Sequence, residues 1–411
     1  MDFLRNAIVE IGLWIEGLLI NAGLAEPAAD VIMTVVGAFV VGFTPLMIVV
    51  FLIWMYRKVS ARIGGRMGPN SSGTWAGPWG LVQPIADVIK MFTKEDIRPQ
   101  GIDVIPYNLA PIIIVVAAVM IWAVMPFGPG AEMVGADLNI GIFYVLAFSS
   151  AALIAFLMAG WSSNNKYAVV GAFRAVAQLL GYEIPQLLSI LIVVMVVSSF
   201  VGPQGNPLSL QSIVEAQEGM IFLVVLPLPA LVFWLASLAE INARPFELLE
   251  AESELVAGVQ IEYSAMKWGM FYVGEFMGSV AVSALFATIF LGGWRGPWVD
   301  TAPVLGTVWF LLKILFMLNV WTFFQMTLPR LRIDQMLAFN WKFLVPLSLF
   351  AICVIGVVNK LIPEGATSWL RSGILLATNV VILLLAWAVL AIGKRRRELR
   401  APAGAGVEVG A

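Results

Sequence analysis

The sequence predicts an all-α polytopic membrane protein with about nine transmembrane helices, an N-terminal amphipathic helix and further helices in the loops of one face. Three observations carry this. Of 411 residues, 60% are hydrophobic and only 12% charged, outside the balance of a soluble globular domain. Hydropathy resolves apolar segments of roughly 20 residues or more, each long enough to cross a hydrocarbon core of about 30 Å. Lysine and arginine are concentrated in alternate loops.

In chain order, residues 1–28 predict an interfacial helix. Leu4, Ile8, Ile11, Ile15 and Leu18 share one helical stripe, while Arg5, Glu10 and Glu16 lie off it. No basic segment, uninterrupted apolar block and small-residue cleavage site follow one another there, so a cleavable signal peptide is not expected. Spans are expected near 31–56, 104–125, 141–160, 169–200, 221–240, 266–292, 304–328, 341–358 and 371–393. The first eight make a core over 29–360, followed by an additional span in 361–393 and a basic, disordered tail at 394–411.

Three loops stand out. Residues 57–103 hold a Gly/Pro-rich turn and then a helical stripe of Leu81, Ile85, Val88, Ile89 and Phe92, which predicts a helix lying along the membrane surface. Residues 241–267 place Glu247, Glu250, Glu252, Glu254 and Glu262 against only Arg244 and Lys267. The third, 329–342, is short and of mixed charge. These loops, 161–174 and 394–400 together hold nineteen of the 24 basic residues; Arg5, Arg295, Lys360 and Arg371 lie on the other side and Lys313 within a span. The positive-inside rule then puts the N-terminus outside and the C-terminus in the cytoplasm.

There is one cysteine, Cys353, and no histidine. Iron–sulfur, zinc and haem sites need several such ligands, so no metal centre is expected in this chain. No glycine-rich phosphate loop joins a strand to a helix, so no nucleotide site is expected. The chemistry-bearing residues are instead ionisable groups inside the spans, which are expensive in hydrocarbon and functional by default. At about 1.5 Å per residue from the basic side, Glu240 lies near the surface, Glu275 roughly 13 Å in, Glu183 roughly 20 Å in and Lys313 roughly 22 Å in. Arg174, Gln178 and Tyr182 make one face of the fourth span polar for two turns, and Gly274 and Gly278 flank Glu275. Two readings stand side by side: a proton or cation path through buried carboxylates, or satisfied structural pairs such as Lys313 with Glu183. Likewise Arg62, Arg66, Lys90 and Lys94 suit anionic lipid headgroups as well as a functional loop.

GPN at 68–70 and GPWGLVQPIADVIKMFTKED at 77–96 resemble the first loop of the H-subunit family of NADH-quinone oxidoreductase, the quinone-channel subunits of complex I. AFRAVAQLLGYEIP at 172–185 resembles that family's fourth span, residues 238–276 its acidic loop, and PRLRIDQMLAFNWKFLVPLSL at 329–349 its penultimate loop. The resemblance implies a membrane subunit of proton-pumping complex I that forms a quinone-access tunnel and couples quinone reduction to proton translocation. It implies ubiquinone or menaquinone as substrate, with flavin and clusters on other chains, and a bacterial plasma membrane. Its implied partners are peripheral quinone-module subunits and antiporter-like and small membrane subunits; no nucleic acid is expected. Carried over by motif, Glu183, Glu240, Glu275, Glu247, Glu250, Glu252 and Glu254 match the proton-coupling carboxylates. Arg62, Arg66, Asp87, Lys90, Glu95, Arg244, Arg330, Arg332 and Asp334 match the loops beside the quinone tunnel. The sequence departs from the family pattern at Asn242-Ala243-Arg244, at Glu247-Leu248-Leu249-Glu250, in the insertion 71–76, at Gln325 and at Ile333. Alternatives are the homologous membrane anchor of a hydrogenase or formate-oxidising complex, a stand-alone proton-coupled transporter, and a purely structural anchor. No internal duplication of the kind such transporters carry is evident.

Overall fold

The computed structural model describes residues 7–22, 25–70, 78–130, 133–201, 206–249, 252–363 and 367–400. Glu250, Leu4, the insertion 71–76 and the tail beyond residue 400 lie outside the described residues, as does the side chain of Glu252. Among the described residues the chain is helical, without strands, and eight helices are long and apolar enough to cross a membrane. In order these elements are α1 (Ala7–Asn21), α2 (Glu26–Ile63), α3 (Gln83–Thr93), α4 (Val104–Met120), α5 (Gly141–Ser162) and α6 (Lys166–Val201). They continue as α7 (Leu210–Ala216), α8 (Phe222–Val225), α9 (Pro227–Glu240), α10 (Glu252–Leu255), α11 (Ala265–Phe290) and α12 (Val304–Thr327). The last described elements are α13 (Ile333–Phe339), α14 (Val345–Leu361) and α15 (Ser368–Arg400), the last of which is helical through 394–400, where a disordered tail was expected.

The expected fifth span, 221–240, differs from a single crossing helix. Leu226 (φ −125°, ψ 60°) breaks it into α8 and the 14-residue α9. Pro227 and Pro229 supply no N–H, and a residue before proline is driven out of the helical region, so the apolar run cannot continue as one helix. At about 1.5 Å per residue α9 is only about 21 Å long. Its Leu228, Val232, Phe233 and Ala236 are buried, so neighbouring helices enclose it. The expected penultimate loop is largely helical as well: α13 runs through a π-helical turn, Asn340–Leu344, into α14. Pro346 cannot donate to the carbonyl four residues back, which loosens the register there.

Small residues set the closest approaches. A Cβ on Gly160 of α5 would lie 2.4 Å from the Cβ of Ala172 and 2.6 Å from the Ala168 carbonyl, both on α6. With lipid as solvent, such tight backbone contact is a principal source of helix association. At one end of the bundle the three charged loops meet. Ile97 N–H donates to Ser264 Oγ (2.9 Å), and Leu331 N–H to the Pro245 carbonyl (2.9 Å). This end is the basic face. The connections at the opposite face are also tied, with Ile142 N–H on the Leu208 carbonyl and Ser209 Oγ on Asp137 (3.1 Å).

Candidate functional site

The polar side of α6 faces α5 and α9. Ser150 Oγ of α5 donates to Glu183, and one turn further along α6 Gln186 Nε2 donates to Glu240 Oε2 (2.6 Å) at the end of α9. Gln178, fully buried, donates to the Ala239 carbonyl (2.8 Å), which also accepts from Asn242 N–H (3.3 Å) in the turn that ends α9. The chain then turns sharply at Asn242, whose φ of 51° is left-handed, a conformation asparagine tolerates better than most residues. Asn242 Oδ1 accepts from Leu248 N–H (3.2 Å) and Leu249 N–H (3.4 Å), folding the acidic loop back under α9.

Two cavities meet at this turn. One, of about 70 Å³, is lined by Tyr182, Glu240, Glu275, Ser149 and the flanking Gly274 and Gly278 among others. The other, of about 140 Å³, lies between α2, α11 and α12 and is lined by Met55, Tyr56, Glu247, Tyr272, Ser279 and Gln325 among others. Ile241, Asn242 and Glu275 line both. Glu275 therefore stands in a shared wall between the Glu247 side and the Glu240 side. Glycine on either side of it leaves the backbone of α11 bare: a Cβ at Gly274 would already come within 3.0 Å of Ile114.

Glu247 is clasped by two arginines from different loops, Arg244 Nε and Arg330 Nη2, each 2.8 Å from Oε2. Arg174 is paired with Glu254 (2.6 Å), which joins the polar side of α6 to α10. Arg332 and Asp334 are exposed at the start of α13, apart from this clasp. In the first loop Asp87 of α3 bonds Arg57 (2.7 Å) and Lys90 (3.0 Å). Burial pushes its carboxyl up, but the hydrogen bonds and charges of Arg57 and Lys90 outweigh that and hold it below the ordinary carboxylate range. Arg62, Arg66 and Glu95 are exposed nearby.

Lys313, which the sequence leaves free to pair with Glu183, does something else. Its Nζ donates to the carbonyls of Leu291 (2.7 Å), Gly293 (2.8 Å) and Arg295 (2.6 Å) at the opposite face. Two further groups escaped the sequence reading. Asp96 bonds both Lys267 (2.9 Å) and Arg98 (3.1 Å), and Lys267 lies over the Tyr107 ring. That ring stacks on Tyr263 at 4.3 Å, which makes Tyr263 a packing residue of the basic face. Gln186 is the other; its i+3 spacing from Glu183 was the available signal, since it extends the polar side of α6.

A protein-family model described as NADH dehydrogenase matches residues 36–356. Among curated relatives, the H subunit of NADH-quinone oxidoreductase from Dehalococcoides mccartyi is 45% identical over 344 residues, covering 83% of this chain and 90% of that protein. An H subunit of the same enzyme from Geobacter metallireducens is 40% identical over 341 residues, 81% of this chain and 98% of that protein. The counterpart from a Geobacillus species is 41% identical over 320 residues, 78% and 92% of the two chains. With most of this chain and nearly all of those relatives aligned, the chain belongs to the H-subunit family of NADH-quinone oxidoreductase, as a multi-pass membrane component of that oxidoreductase complex.

Proposed function

We propose that this chain gives a long-tailed quinone access to its reduction site in a proton-pumping NADH:quinone oxidoreductase, and that it passes the resulting change of charge to buried carboxylates. The observation that carries the reading is the position of Glu275, in the wall common to two cavities, one reaching Glu247 and the other Glu240. The quinone would approach between α2, α11 and α12, beside Arg57, Asp87 and Lys90 of the first loop. Arg62, Arg66, Glu95, Arg332 and Asp334 are exposed where the peripheral quinone-module subunits would dock. Antiporter-like and small membrane subunits would receive the effect laterally. Iron–sulfur clusters would sit on partner chains, since each needs several thiolates and this chain has one cysteine; by the family resemblance the flavin would sit on partner chains as well. By the positive-inside rule the basic face would be cytoplasmic, and the bacterial sources of the relatives support the bacterial plasma membrane as its location.

The physical logic is electrostatic. Quinone reduction takes up two electrons and two protons, and each imbalance places charge in a low-dielectric site. A unit charge about 10 Å from a carboxylate, at an effective dielectric constant of about 20, is worth about 1.7 kcal/mol, more than tenfold in its protonation ratio. Glu275 and Glu247 lie nearest the proposed tunnel. Glu240 answers them through the shared wall, and Gln186 beside it carries the response to the turn of α6 that holds Glu183.

In the assembled complex, Glu183→Gln and Glu275→Gln are each expected to lower NADH:quinone turnover about tenfold or more and to reduce the proton-to-electron ratio. Oxidation of NADH by a water-soluble acceptor should persist, which reports assembly. Wild-type turnover and ratio in both variants would overturn the coupling role. A photoreactive quinone is expected to label α2 or the first loop, and labelling confined to other subunits would remove the tunnel from this chain.

A further inference from the structure

Both α6 and α11 run from the basic face to the opposite face, and they carry Glu183 and Glu275. Their C-terminal ends therefore point the negative end of each helix dipole away from the basic face. Such ends attract protons. At both of them the structure places a side-chain cation. At the end of α11, Gly292 (φ 74°) and Gly293 (φ 50°) turn the chain so that the carbonyls of Leu291, Gly293 and Arg295 converge on Lys313 Nζ. Three acceptors need three hydrogens, which an ammonium has and a neutral amine lacks. At the end of α6, Arg371 of α15 donates to the carbonyls of Ser199 and Pro363, with its guanidinium 5.6 Å from the Phe200 ring centroid and only 7% of the residue exposed. Among the described residues no carboxylate lies within ion-pair distance of either cation; Glu218 is paired with Arg295, in the turn after α11.

The stretch of α11 between Glu275 and this end is buried for most of its length. Val280 to Phe290 of α11 are all buried. The hydroxyls along it donate back to their own helix, Ser279 to the Glu275 carbonyl (3.0 Å), Ser283 to that of Ser279 (2.7 Å) and Thr288 to that of Ala284 (2.8 Å). Their donors are thereby occupied.

We propose that Lys313 and Arg371 form a fixed positive seal at the opposite face, which keeps protons on that side from reaching the Glu240–Glu275–Glu183 group. A cation without a counter-ion, held where the dielectric is low, repels hydronium much as fixed positive charges exclude protons in selective pores. The inference rests on the proposed coupling role for the gradient it protects. Its geometry does not depend on that role. Arg371 lies beyond residues 36–356, so this chain completes the seal with a span outside the family match.

The test is passive proton conductance of the purified complex in liposomes, read from an internal pH dye under a potassium diffusion potential, with no NADH or quinone present. Lys313→Gln keeps two N–H donors and loses the charge, and is expected to raise the leak at least threefold; Lys313→Arg keeps the charge and should stay within about 1.5-fold of wild type. Arg371→Gln and Arg371→Lys should divide in the same way. A wild-type leak in Lys313→Gln, or equal leaks in Lys313→Gln and Lys313→Arg, overturns the seal. If Lys313→Gln does not assemble, Arg371→Gln decides, and a wild-type leak in it overturns the proposal. Because no turnover is involved, failure of the coupling role in Glu183→Gln and failure of the seal are read separately.

Discussion

Asp87 shows how a single residue ties the first loop to the bundle. Its carboxylate joins α3 to Arg57 near the end of α2 while also holding Lys90 of its own helix. The Arg57 side chain is 34% exposed and that of Asp87 22%, so solvent screening keeps the pair modest, about 1 kcal/mol at most. Because the folded carboxyl is held below its ordinary value of 3.8, this contribution is fully present above that value and is lost as the pH falls through the lowered one. Protection of the α3 amides from hydrogen exchange, corrected for intrinsic rates, should therefore be level from about pH 8 to about pH 5. Asp87→Asn should reduce it several-fold at pH 7. Unchanged protection would mean that α3 is held by its apolar contacts alone. At Lys313 the same accounting of partners reverses a sequence alternative: the charge is satisfied by backbone carbonyls and is not paired with Glu183.

Individual elements divide by how local their causes are. The long spans and the loop helix α3 were legible because length, hydropathy and an i, i+4 stripe act within one segment. The broken fifth span was missed although Pro227 and Pro229 were in view, because hydropathy averages over a window and does not count backbone donors. The π-helical turn at Asn340–Leu344 was missed for a similar reason, since it depends on hydrogen-bond register, which composition does not carry. The pairing of α5 with α6 hangs on Gly160. In Gly160→Ala the new methyl would have to displace backbone as well as Ala172, and overpacking of this kind costs about 1–3 kcal/mol. A lower thermal midpoint of the detergent-solubilised complex, with reduced yield, is expected. An unchanged midpoint would show that the two helices slide apart freely.

For the whole molecule, the membrane class, the approximate positions of the spans and the set of ionisable residues in them were readable along the chain. Each follows from quantities summed along the chain: apolar length, charge per loop and depth along a helix. The family could likewise be read from contiguous motifs. Which of those residues meet was settled by helix packing. It set Glu275 in the wall between two cavities, closed Arg244 and Arg330 on Glu247, left Arg62 and Arg66 exposed, and turned Lys313 toward the end of α11. These outcomes depend on the rotation of each helix about its axis and on contacts between segments far apart in the chain, as Arg330 with Glu247 and Arg371 with Ser199 illustrate. A charge has a depth from its own helix; it acquires a partner only when another helix packs against that face.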